Sequence, residues 1–118
     1  MADSASRNRT RKWFTRTTLA LLDLRSEIDK AILAAPQEEK NGWLIQRGRV
    51  QGMISMVRDF EEEFEAQNLE IRPPDQATID ETINKVKALA DKIGEVQKAQ
   101  AILALVTDLG EVLSKVLA

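Results

Sequence analysis

Two stretches of this chain carry the same alternation of three- and four-residue steps between core-type side chains. In the first the steps run Phe14, Thr17, Leu21, Leu24, Ile28, Ala31 and Ala35; in the second, Trp43, Gln46, Val50, Met53, Val57, Phe60 and Phe64. Such steps average about 3.5 residues, close to the 3.6 of one helical turn, so they lay one stripe along a helix and suit it to packing against another. Leu22, Ile32 and Leu33 widen the first stripe beyond a strict seam. Pro36 stops the first helix, and PQEEKNG reads as a polar connector of ordinary length. A connector that short implies an antiparallel hairpin. Pairing positions whose numbers sum to 78 closes its seam in layers: Phe14 with Phe64, Leu21 with Val57, Ile28 with Val50, Ala35 with Trp43.

The second helix is expected to end near Asn68, before IRPP, because proline disfavours helix for the residue preceding it. Asp75 then reads as an N-cap for a third segment, with Asp80 and Glu81 near the positive helix end. Its seam is Ile79, Ile83, Val86, Ala90 and Ile93. From Ala99 onward two apolar stripes run side by side: Ile102, Leu105, Leu109, Val112, Val116, and Leu103, Val106, Gly110, Leu113, Leu117. The intervening GEVQKAQA has no turn chemistry beyond Gly94, so the leading expectation is one helix over 76–117, on the order of 60 Å long. The alternative is a break near 94–99 that folds the tail back as a fourth helix.

The fold class is therefore all-α: an antiparallel hairpin packed with a long C-terminal helix, a three-helix bundle with coiled-coil-like seams and a four-helix bundle as its alternative. Helices are expected at about 10–35, 43–68 and 76–117, within one domain over 10–118 behind a basic arm at 1–9. A length of 118 residues suits one core. Only five Gly and three Pro, with 43% apolar residues, suit helices better than disorder.

The function classes that composition removes are many. There is no Cys and no His. That takes away thiolate nucleophiles, the usual general base and most zinc and di-iron ligand sets. No catalytic or cofactor motif remains, so the chain reads as non-enzymatic, with no cofactor and no metal. No apolar run reaches the length of a membrane span, and no signal peptide is evident. A cytoplasmic or virion setting is the expectation.

Four stretches invite a role. In DFEEEFE, Glu61 and Glu65 share a helix face, but the alternation with Phe60 and Phe64 makes them the solvated side of a seam. In QRGRVQG, Arg47 and Arg49 fall on different faces and form no phosphate clamp, while Gly48 and Gly52 are spaced to let another helix approach. Over those seven residues the run is similar to short helical accessory proteins of tailed phages, and the likeness extends no further. In SRNRTRKWF the cations oppose the helix macrodipole, as do the acids that end the second segment. The hairpin would set Arg11, Lys12 and Arg16 beside Glu61, Glu62 and Glu65, leaving Arg7 and Arg9 for a polyanion, with Trp13 available to stack on a base or sit at a lipid surface. The net charge is −2, against the nucleic-acid reading. Last, the two-faced tail must be buried on two sides.

The leading functional expectation is a helical assembly or adaptor protein, a homo-oligomer or partner-binder acting through the C-terminal helix. Ile102, Leu105, Val106, Leu109, Leu113 and Val116 would form the association face. A structural component of a phage particle or a secretion machine would suit that shape. The alternatives are a membrane-active bundle that opens to insert its tail, and a nucleic-acid-binding module using the basic arm.

Overall fold

The computed structural model describes residues 4–66, 76–96 and 98–117. Among the described residues four helices make up the bundle: α1 (Ser4–Ala34), α2 (Gln37–Glu65), α3 (Gln76–Glu95) and α4 (Leu103–Leu117), the last entered through a 3-10 turn at Ala99–Ile102. α1 lies beside α2 and α3, and α4 lies beside the same two, so α1 and α4 occupy opposite corners of a square. The bundle measures 53 × 24 × 18 Å, and α1 alone, at about 46 Å, runs nearly its full length.

The hairpin forms as its seam dictates. Phe14, Thr17, Leu21, Leu24 and Ile28 of α1 are buried, as are Trp43, Gln46, Val50, Met53, Val57 and Phe64 of α2. The Phe14 and Phe64 rings lie 5.8 Å apart at one end. Polar pairs run along the flank in the matching antiparallel order: Arg11 with Glu65, Arg25 with Gln51, Arg47 with Asp29.

Two local expectations need correction. α1 begins at Ser4, not near residue 10, so residues 4–9 are helical and not an arm. The connector shrinks to Ala35 and Pro36, because Pro36, extended at φ −63° and ψ 156°, serves as the N-cap of α2. Gln37, Glu38 and Glu39 are helix formers, and two of them are acids at the positive helix end. Lys40 reaches back 2.9 Å to the Ile32 carbonyl, giving an orphan acceptor of the last turn of α1 a donor. The expected Asp75 cap and the end of α2 beyond Ala66 lie outside the described residues.

The larger correction is the tail, where the alternative of a break near 94–99 and a fourth helix holds and the leading expectation does not. The single helix expected over 76–117 breaks after Glu95, Lys98 is extended, and α4 returns antiparallel to α3. Ile102, Val106, Leu109, Leu113 and Leu117 become buried. At about 1.5–3 kcal/mol for each such side chain, that burial far exceeds the few backbone hydrogen bonds given up, each about 0.5–1.5 kcal/mol net. The buried stripe draws on both stripes read from the sequence, leaving Leu103 and Leu105 outside. On α3, Ile83, Val86, Leu89 and Ile93 face inward, Leu89 where the sequence pattern placed Ala90. Lys85 donates to Asp108 at 2.8 Å, tying α3 to α4.

Candidate functional site

The basic end of α1 meets the acidic end of α2 because the chain turns back on itself at Pro36. Arg11 grips Glu65 with two hydrogen bonds, Nε to Oε1 at 2.7 Å and Nη2 to Oε2 at 3.1 Å. The hydrogen bond from Arg11 holds the Glu65 carboxyl below its usual range, and Arg7 adds a smaller pull in the same direction. Glu65 in turn raises the Arg11 guanidinium. Arg7, assigned from the sequence to an outside polyanion, lies over the Phe64 ring at 4.5 Å from its centroid. This cation–π contact gives it an intrachain partner without an acid. Trp13 is buried and packs edge-on against Phe14 at 5.2 Å, so its indole is not available for stacking on a base or a lipid surface.

Of the six residues expected to pair across the hairpin, Arg11 and Glu65 meet. Among the described residues, Lys12, Arg16, Glu61 and Glu62 form no ion pair. Arg9, Lys12 and Arg16, spaced three and four apart, are all exposed and lie along one outer stripe of α1.

Most of the residues expected to form an association face lie in the core of the chain itself. Ile102, Val106, Leu109 and Leu113 are buried, Val116 is half-buried, and Leu105 is exposed. The fold-back satisfies within the chain the demand for burial on two sides that pointed to a partner.

An open groove of about 680 Å³ between α2 and α4 is a surface that the sequence alone did not suggest. Its floor is Gly52, Met53, Met56, Val106 and Gly110, and its rims carry Arg49 on α2 and Glu111 and Lys115 on α4. A β-carbon at Gly52 would touch nothing within 4 Å; one at Gly110 would rest 3.4 Å from Met53 Cε. Arg49 spans the groove loosely, its Nη1 donating to Thr107 Oγ1 at 3.5 Å. Just past it stand Ile45 (59% exposed) and Leu103 (38%). The signal for this groove was in QRGRVQG: the Gly48 and Gly52 spacing serves no helix crossing within the chain, since a β-carbon at either is unopposed. Arg47 binds Asp29 across the hairpin, away from Arg49. Leu33 and Leu44, near the Pro36 turn, are also exposed.

Among the described residues no group of carboxylates is arranged to hold a metal ion, and no helix is long and apolar enough to cross a membrane. Comparison with protein-family models, curated proteins and solved structures gave no match.

Proposed function

We propose that the chain is a non-enzymatic helical assembly or adaptor protein, of the kind that builds a phage particle or a secretion machine. It acts by offering outer helix surfaces to other helices. The observation that carries this reading is the uncovered α2/α4 groove, apolar at its floor and continued by exposed Ile45 and Leu103. A concave apolar strip between two helices has the form that accepts a third. The surface for association is thus the outer side of α4 with α2, and not the inner face of α4.

Gel filtration and sedimentation test the reading on the pure chain and on extract from its native source, with Ile45→Glu alongside. Ile45 is exposed, so the substitution leaves the fold intact. The expected result is a mass above 13.2 kDa in at least one setting, abolished in the variant. A chain that stays at 13.2 kDa in both settings ends the reading.

A second reading rests on the stripe of Arg9, Lys12 and Arg16, cations without an ion pair among the described residues. It is suited to a phosphate backbone, with affinity that falls steeply as salt rises. Removing one of these cations, as in Arg16→Ala, then lowers the log–log salt slope by about 0.7–0.9. Absence of DNA or RNA binding at low salt removes the reading. Membrane insertion has less support, since α4 would have to leave the bundle and expose Ile102, Val106, Leu109 and Leu113. Leakage from anionic liposomes is its test.

A further inference from the structure

We infer that the α2/α4 groove is closed by the same groove of a second copy, with a two-fold axis running along it. This rests on the assembly reading and names its surface and partner. Within one chain the two rims keep a fixed level. Ala99 lies opposite Gly42 and Gly110 opposite Met53, each pair 57 apart in number, so α4 runs parallel to α2. A two-fold along the groove lays α2 of one protomer over α4 of the other at unchanged level.

The rims then match. Ile45 meets the partner's Leu103, one residue off level and both exposed. Asp59, seven residues on from Gly52 and so on the same stripe, meets the partner's Lys115, again one residue off. Arg49 reaches the partner's Glu111 about a turn and a half further along. Charge therefore alternates in opposite order on the two rims, and the two-fold makes every pair twice. Between them, Gly52 and Gly110 remove the side chains that would hold the facing helices apart.

The other two-fold, across the groove, sets α2 against α2 antiparallel. It can also pair Arg49 with Asp59, but it then brings Glu111 against its own copy and Ile45 beside Glu63. The rims thus select the axis along the groove.

Sedimentation and single-cysteine cross-linking decide the point, and the chain has no native Cys to confuse the latter. The wild-type chain is expected to be a concentration-dependent dimer. Gly52→Gln, which the lone bundle accommodates because nothing lies within 4 Å of its β-carbon, raises the dissociation constant about tenfold or more. Asp59→Lys and Lys115→Asp each weaken the dimer, and the double variant restores it. A mixture of Ile45→Cys and Leu103→Cys chains cross-links as the mixed pair. A wild-type monomer, a dimer indifferent to Gly52→Gln, or a Glu111→Cys chain that links to itself in preference to the mixed pair overturns the inference. A monomer that assembles only in native extract overturns it while leaving the assembly reading standing.

Discussion

A β-carbon added to Gly42 would lie 3.1 Å from the β-carbon of Ala99, closer than ordinary contact. This is where the fold-back of the tail is seated: the 3-10 turn that starts α4 rests on the second turn of α2. Glycine in a helix interior costs about 1 kcal/mol relative to alanine, and here a β-carbon would have to displace Ala99 by a few tenths of an ångström. Gly42→Ala should leave stability nearly unchanged, because the propensity gain offsets a small displacement of Ala99. Gly42→Val, with two more carbons in the same gap, should lose about 1–3 kcal/mol. Gly48→Ala is the control, since a β-carbon there meets nothing, and should gain up to about 1 kcal/mol. Urea unfolding of the three variants, at protein concentrations where the chain is monomeric, reads all of these values.

The fold-back also predicts what the tail contributes. Leu109 is buried between the helices it joins, so Leu109→Ala should cost about 2–5 kcal/mol. Leu105, one turn away but exposed, should cost little as Leu105→Ala. Had 76–117 been one overhanging helix, both substitutions would have spared the monomer's stability. A truncation after Gln97 removes Ile102, Val106, Leu109, Leu113 and Leu117 from the core that α4 shares with α2 and α3. It should therefore unfold the chain or leave a loosely packed state that binds a hydrophobic dye. Circular dichroism with dye fluorescence separates these outcomes from a truncated chain that remains folded.

The hairpin was legible because its information is local: one seam repeated twice, with proline between. Phe14 and Phe64 could be paired from numbering alone, since a periodic stripe on an antiparallel hairpin allows few registers. The break after Glu95 was read from the sequence only as the alternative to a continuous helix, because beyond Gly94 no residue there carries turn chemistry. It exists because Ile102, Val106, Leu109, Leu113 and Leu117 gain more from burial than the backbone loses. That is a tertiary cause, and local propensity does not carry it. The same reasoning explains why residues read as an association face are buried in the chain itself. A stripe that must be covered says nothing about what covers it, and here the chain covers its own. The groove went unread because it is made by two helices 57 residues apart, and only Gly48 and Gly52 hinted at it. The contact of Arg7 with the Phe64 ring went unread for a different reason: the hairpin pairing was drawn between cations and acids, and this partner is an aromatic face.

Stability should be nearly independent of pH from about 5 to 9, because no side chain in this composition has an ordinary pKa in that interval. The acid limb has an identifiable contributor. Glu65 titrates below its usual value because Arg11 hydrogen-bonds to it. Its contribution is therefore full above about 4.3, the ordinary glutamate value, and is lost as pH falls through the lower folded value. The alkaline limb has the mirror case in Lys85, raised by its hydrogen bond to Asp108. That contribution is full below about 10.4 and is lost as pH rises through the higher folded value. Glu65→Gln should flatten the acid limb slightly and leave the plateau almost unchanged, as expected for an exposed pair. Urea midpoints measured across the range, with and without the substitution, check both signs. An acid limb identical in the variant would show that Arg11 and Glu65 are not coupled in solution.

Thr17 occupies a core step of the α1 seam, fully buried, and its hydroxyl has no hydrogen-bond partner among the described residues. The Nε1 of Trp13, one turn earlier, is in the same condition. A buried hydroxyl without a partner costs about 1–3 kcal/mol relative to a satisfied one. Valine has nearly the same shape and shares the β-branching, so it refills the site without a cavity or a new rotamer. Thr17→Val should therefore stabilise the bundle by about 1 kcal/mol. Thr17→Ala should destabilise it, because the methyl group is removed as well and the seam between Phe14 and Leu21 is left underfilled. Thr82 supplies the contrast. It is equally buried, but its hydroxyl donates to the Thr78 carbonyl at 2.9 Å. Thr82→Val removes a made hydrogen bond and should be neutral or slightly destabilising. Thermal and urea unfolding of the three variants gives the order directly. A Thr17→Val variant less stable than wild type would mean that the hydroxyl is satisfied in solution.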